Sequence, residues 1–179
     1  MVGLRKGICY RTVERPYTRK SKFKKKGYVK AFPDTKISRY IMGEKNKQFQ
    51  YKVSLVSKDN LQIRDNSIES ARLLVNRALH EKLGPTNYMF RVNMVPHHAL
   101  RENRMLGGAH ADRLQSGMAH SFGKVIGIAA QVKKGKEMFT AYVNRENIEI
   151  AKEALMKANP RLPGRATIKI ESLLGPISS

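Results

Sequence analysis

Acidic side chains are scarce in this sequence: 14 Asp and Glu stand against 35 Lys and Arg, a formal charge of +21. Self-repulsion at that level destabilises a free compact state, so the chain is adapted to a polyanion that neutralises it. Nucleic acid is the first candidate and an anionic membrane surface the second. Cysteine is nearly absent. Cys9 stands alone, which excludes an intramolecular disulfide and fits a reducing interior, with the cytoplasm as the expected location. Long apolar runs are missing too: the uncharged stretch Val125 to Val132 is far shorter than the roughly 20 residues a membrane-spanning helix needs. The opening Met1-Val2-Gly3-Leu4-Arg5-Lys6-Gly7 has no apolar signal core, and no secretory peptide is expected.

What is present is enough for one fold. A chain of 179 residues with 41% hydrophobic side chains can bury a single core and is short for two. Residues 1–30 hold eleven Lys or Arg and one acid, Glu14, and read as a basic N-terminal extension. Tyr10, Tyr17, Phe23 and Tyr28 interrupt that charge, which suits a segment lying along an RNA backbone with rings free to stack. The alternative is a merely solvated basic tail. Residues 31–179 form the core domain. Pro33-Asp34 marks a turn, and Ile37 to Met42 reads as a short strand ending at Gly43. Gln48 to Lys58 alternates as a half-buried strand, with Phe49, Tyr51, Val53, Leu55 and Ser57 on one face. A helix follows, with Asn66 and Glu69 resembling a capping box. Ile68, Ala71, Val75, Ala78 and Leu79 form its apolar stripe, Arg72 faces elsewhere, and Gly84-Pro85 stops it.

Tyr88 to Val95 reads as a strand ended by Pro96. Val125 to Val132 is another, expected to pair as a hairpin with Met138 to Val143 across a charged turn at Gly135. A second helix is expected from about Arg145 to Ala158 with Asn144 as its cap, and a last strand from Ala166 to Leu173. The expected class is α+β: two main helices on a mostly antiparallel sheet.

Between the middle strands lies Arg101 to Lys124, with four glycines, three arginines and two histidines and no sustained apolar period. An irregular connection of that length inside a compact domain is either functional or disordered. Arg101, Arg104 and Arg113 supply fixed charge and forked donors, and Gly107-Gly108 supplies backbone freedom, as befits a loop that lies against an anion.

The same stretch offers little for catalysis. His97, His98, His110 and His120 invite a metal, but Cys9 is distant and no His-x-x-x-His or Glu-x-x-His spacing occurs. A metal-dependent nuclease needs paired carboxylates. Only Glu102 and Asp112 are at hand, and Asp112 beside Arg113 reads equally well as an ion pair. No phosphate-binding Gly-x-x-x-x-Gly-Lys motif is present. No catalytic residue, metal or cofactor is expected. An RNA-processing or RNA-modifying enzyme using the loop histidines, and a free-standing nucleic-acid binder, stay as alternatives.

Arg101-x-Asn103-x-Met105-Leu106, then Ala111-Asp112-Arg113-Leu114-Gln115-x-Gly117-Met118, then Phe122-Gly123-Lys124 resemble the signature of one large-subunit ribosomal protein family. It is called L-ten-e in archaea and eukaryotes and L-sixteen in bacteria. Arg15-Pro16-Tyr17, Pro33-Asp34-x-Lys36-Ile37 and Pro163-Gly164-Arg165 agree in the same order. Ala119-His120 and Gly107-Gly108 depart from the family pattern. The segment at Met42-Gly43 and the short tail after Gly175 resemble archaeal members.

The resemblance implies an α/β-hammerhead type fold and a structural role in the cytoplasmic large ribosomal subunit, with rRNA bound near the central protuberance. It also implies neighbouring ribosomal proteins as partners, and no free homo-oligomer. By the same resemblance, the rRNA-binding residues are Arg5, Lys6, Arg11, Arg15, Tyr17, Arg19, Lys20, Lys22, Lys24, Lys25, Lys26, Lys36 and Arg165. Arg101, Asn103, Arg104, Gly107, Gly108, His110, Arg113, Gln115 and Lys124 would form a loop pointing toward the tRNAs and the peptidyl-transferase region.

Overall fold

The computed structural model describes residues 5–18, 29, 32–103 and 123–173. Two antiparallel sheets and two α-helices share one core, the α+β arrangement expected from the sequence. The elements run β1 (Ile41–Gly43), β2 (Tyr51–Ser57), β3 (Leu61–Arg64), α1 (Asp65–Leu83), β4 (Met89–Val92), β5 (His98–Glu102), β6 (Lys124–Val132), β7 (Glu137–Val143), α2 (Ile148–Met156) and β8 (Ala166–Ser172). The larger sheet has the order β1-β4-β7-β2-β8 and the smaller one β3-β6-β5. Helix α2 lies on β2 and β7, while α1 packs on α2 and reaches β3 and β6. Helix α1 therefore bridges the sheets.

The apolar stripe of α1 does what its spacing requires: Ile68, Ala71, Val75, Ala78 and Leu79 are all buried. They meet Val53, Leu55, Phe90 and Phe139 of the larger sheet and Leu61, Ile63 and Val132 of the smaller in one continuous cluster. Each large apolar side chain so buried contributes roughly 1.5–3 kcal/mol.

Four expectations need correction. The capping box does not form: Arg64 occupies the N-cap without a side-chain bond, and Asp65 instead accepts from the Asn66 amide at 2.8 Å and the Lys36 amide at 3.2 Å. Arg72 does not face solvent but is only 5% exposed. Its guanidinium donates through Nε to Glu69 at 2.7 Å and through a terminal nitrogen to Ser38 Oγ at 2.9 Å, so a neutralised charge replaces an exposed one. The expected β6–β7 hairpin is absent. β6 pairs with β3 and β5, while β7 sits between β4 and β2. At the turn between them, Ser57 N donates to Lys136 O at 3.0 Å and Gly135 N donates to Ser57 O at 2.8 Å. That bond pair draws the chain toward the end of β2 and into the other sheet. Lastly, the stretch from Arg101 is not all loop. Arg101 and Glu102 close β5, and Lys124 opens β6 opposite Glu102.

The Arg72 pair yields a comparison. Glu69→Ala leaves a buried guanidinium without its anion and is expected to cost about 1–3 kcal/mol. Glu81→Ala, which removes the exposed partner of Arg77, should change stability little. Urea denaturation of both variants checks this, and equal midpoints would contradict the burial of charge at Arg72.

Candidate nucleic-acid interface

Residues 5–17 lie as a strap across the smaller sheet. Alternation puts Leu61 and Ile63 of β3 toward the core and Gln62 on the opposite face, where it pairs across the ladder with Gln131 of β6. Both amides then turn outward to hold the strap. Gln62 Nε2 donates to Tyr10 O at 3.1 Å, Gln131 Nε2 donates to Glu14 O at 2.9 Å, and the two side chains are joined at 3.0 Å. The sheet's two open edges are also met. Gln62 N donates to Arg11 O at 3.1 Å on the β3 side, and Ala99 N donates to Tyr17 O at 2.8 Å on the β5 side. An edge strand left bare is a template for unwanted pairing; the strap blunts both.

The strap converges on the point where β5 leaves the sheet. Tyr17 N donates to Nδ1 of His98 at 2.9 Å. The Arg101 guanidinium sits over the Tyr17 ring, 4.0 Å from its centroid, a cation–π contact worth about 0.5–2 kcal/mol depending on desolvation. Arg5 forms an ion pair with Glu102, which holds the Arg5 guanidinium above its ordinary pKa through the hydrogen bond and charge of Glu102. On the returning strand, Gly123 has φ +119°, and a Cβ there would lie 2.6 Å from the Glu102 carbonyl carbon. Only glycine lets the two chains approach so closely at this root.

His98, one of the four histidines that invite a metal by their position, is buried, 3% exposed. Burial lowers its pKa first, with Arg101 and His97 acting in the same direction and Glu14 opposing. A neutral imidazole with Nδ1 accepting from the backbone carries its proton on Nε2. His98 is a structural acceptor. Among the described residues no group of three or more His, Cys, Asp or Glu is arranged to hold a metal.

The expected binding residues divide by place. Arg5, Lys6, Arg11 and Arg15 are exposed along the strap, with Tyr17 half-buried at its end. Lys36 is exposed beside the start of α1. Arg165 is exposed across the molecule's surface turn, donating through its backbone amide to Asp59 at 3.0 Å and pairing with it at 3.4 Å. Arg101, Asn103 and Lys124 gather at the root between β5 and β6. Arg19, Lys20, Lys22, Lys24, Lys25, Lys26, Arg104, Gly107, Gly108, His110, Arg113 and Gln115 lie outside the described residues. Sequence reasoning missed Gln62 and Gln131, which hold the strap, and Arg64, whose guanidinium donates to Arg5 O. For Gln62 and Arg64 a signal existed, since Leu61-Gln62-Ile63-Arg64 alternates like a strand.

These features define a basic α+β scaffold whose cationic face is built from backbone-tethered arginines rather than from reactive groups. Residues 14–169 match the family described as Ribosomal protein L16p/L10e. The chain is 44% identical over 170 residues to the large ribosomal subunit protein uL16 of Methanococcus maripaludis, covering 94% of this chain and 95% of that one. It is 40% identical over 162 residues to the protein of that name from Archaeoglobus fulgidus, with 90% of each chain covered. The Hyperthermus butylicus uL16 is 40% identical over 155 residues, covering 87% of this chain and 83% of its own. The chain belongs to the ribosomal protein L16p/L10e family, and its relatives named here are archaeal.

The buried, neutral His98 gives the strap a pH dependence. A base whose folded pKa lies below its unfolded value of 6.5 contributes stability that is full above that value and is lost as pH falls below it. Protection of the Tyr17 and Ala99 amides, corrected for intrinsic exchange, is expected to drop between pH 7.5 and 5. Constant protection over that range would contradict the role given to His98.

Proposed function

We infer that this chain serves as a structural constituent of the large ribosomal subunit in the cytoplasm, binding large-subunit rRNA and supporting translation without catalysing a reaction. The match of residues 14–169 to the family, spanning nearly the whole described fold, carries this reading. The geometry supports it: Lys6, Arg11 and Arg15 are exposed along the strap, repeated cations that suit a run of phosphates rather than a single small ligand. Among the described residues no helix is long and apolar enough to cross a membrane.

The finer reading concerns the connection between β5 and β6. We propose that the chain binds rRNA near the central protuberance and that residues 104–122, with Arg104 and Arg113, reach toward tRNA and the peptidyl-transferase region. Support comes from the rigid root: a β-ladder, a glycine-permitted close approach at Gly123 and the Tyr17–Arg101 stack hold both ends of that connection. Arg101 supports the root through Tyr17, so Arg104 and Arg113 are the cleaner probes of contacts beyond it.

An Arg104→Ala/Arg113→Ala chain should sediment with the large subunit on a low-salt sucrose gradient yet slow tRNA accommodation. Normal accommodation would remove the tRNA-side role. Loss from the large-subunit peak would show that these arginines serve assembly instead.

A further inference from the structure

Three arginines from distant parts of the chain meet around one cavity, and of these only Arg11 is among the residues expected to bind. Its volume is about 120 Å3, and its lining includes Gly7, Arg11, Arg64, Ser67 and Arg161, with no carboxylate. Arg11 comes from the strap, Arg64 from the end of β3, and Arg161 from the turn Asn159–Arg161 that follows α2. Among the described residues, none of the three guanidiniums has a carboxylate partner.

The polar part of the lining is dominated by donors, beside the apolar Pro160, Leu162 and Pro163. Gln62 also borders the cavity, but its amide is committed, with Nε2 to Tyr10 O and Oε1 accepting from Gln131. Arg64 is fixed in place: one terminal nitrogen donates to Arg5 O at 2.9 Å, and the guanidinium lies over the Tyr10 ring at 5.6 Å. Gly7 passes so near that a Cβ there would be 3.4 Å from the other terminal nitrogen. Arg64 is thus preorganised, while Arg11 and Arg161 are exposed at the rim. Three like charges converging without an acid repel one another, and a tetrahedral oxyanion relieves that repulsion while accepting forked N–H donors. A nucleobase would need acceptors or a free aromatic face as well; the Tyr10 ring is already covered by Arg64.

We propose that this cavity seats one backbone phosphate of large-subunit rRNA, held by Arg11, Arg64 and Arg161, with the Ser67 hydroxyl as a further donor. The inference rests on the rRNA-binding reading and gives it a specific contact. It also assigns Arg161 and Arg64 to the interface. Because the three arginines belong to separate segments, a seated phosphate fastens the strap to the body of the protein. Docking of the strap and binding of rRNA then reinforce each other.

Two measurements on the full chain test this, using Arg161→Gln and Arg11→Gln beside Arg77→Gln, which lies on the exposed face of α1. First, inorganic phosphate should raise the Tm of the parent chain more than chloride at equal ionic strength. The two pocket variants should lose that difference and Arg77→Gln should keep it. Second, the slope of log K against log salt for large-subunit rRNA should fall by roughly 0.7–0.9 in each pocket variant, as for one released phosphate contact. Unchanged slopes and an unchanged phosphate response in both pocket variants would overturn the proposal while leaving rRNA binding intact. A parent chain that responds to phosphate but has no affinity for rRNA would keep the anion site and sink the rRNA reading instead.

Discussion

The imbalance of 35 cationic side chains against 14 carboxylates is the constraint on which the structure depends, because it makes every acid valuable. Among the described residues most carboxylates are engaged by the chain's own cations and amides. Glu69 neutralises buried Arg72, Glu137 and Glu171 share Lys52, and Glu102 fixes Arg5 at the loop root. Glu171, held between Lys169 and Lys52, has its carboxyl pulled down to about 2. Asp65, in the first turn of α1, accepts from the Asn66 and Lys36 amides. What the acids leave over is a surface of arginines and lysines for an outside anion.

That surplus is shaped by a division of labour between the sheets. The larger sheet and α2 hold most of the apolar core, and the smaller sheet turns one face to α1 while its other face carries the strap. The strap buries no residue of its turn Gly7–Tyr10, and Ile8 is 65% exposed. It is held by hydrogen bonds to Gln62, Gln131, Ala99 and His98 rather than by apolar burial. Each such bond contributes about 0.5–1.5 kcal/mol net, small against the cost of ordering the backbone it fixes. A segment of this kind belongs to the low-stability end of the fold. An anion that bridges strap and body adds what the protein's own contacts do not supply.

Much of this was readable in the sequence where the signal was local. The 3.6-residue stripe of α1, the alternation in β2, and the runs that became β7 and β8 were decided by patterns that neighbouring residues carry themselves. Elsewhere the deciding partner was remote. His98, Arg101 and Glu102 look like loop residues because they are polar, yet they belong to β5, where Tyr17 and Arg5 from the far end of the chain meet them. The turn at Gly135 was visible, but which sheet each flanking strand would join was not, since β6 chooses β3 and β5 through register rather than through the turn. Arg72 read as solvated because its charge was counted without Glu69. Of the residues that line the proposed interface, Arg11 of the strap and Arg101 at the loop root were legible in the sequence. Arg64 and Arg161 escaped because only the fold brings them beside Arg11.

If surplus charge is what the fold is built to present, affinity for large-subunit rRNA must be governed by counterion release. Between about 50 and 200 mM salt, a protein making six to ten phosphate contacts loses roughly three to five orders of magnitude in affinity. Measuring the dissociation constant of the full chain for large-subunit rRNA across that range is the most direct test. A loss of that size, linear in log salt, is the result expected. Affinity that hardly changes over the range would contradict the account, because it would place the binding energy in something other than the arginines and lysines left unpaired by the fold.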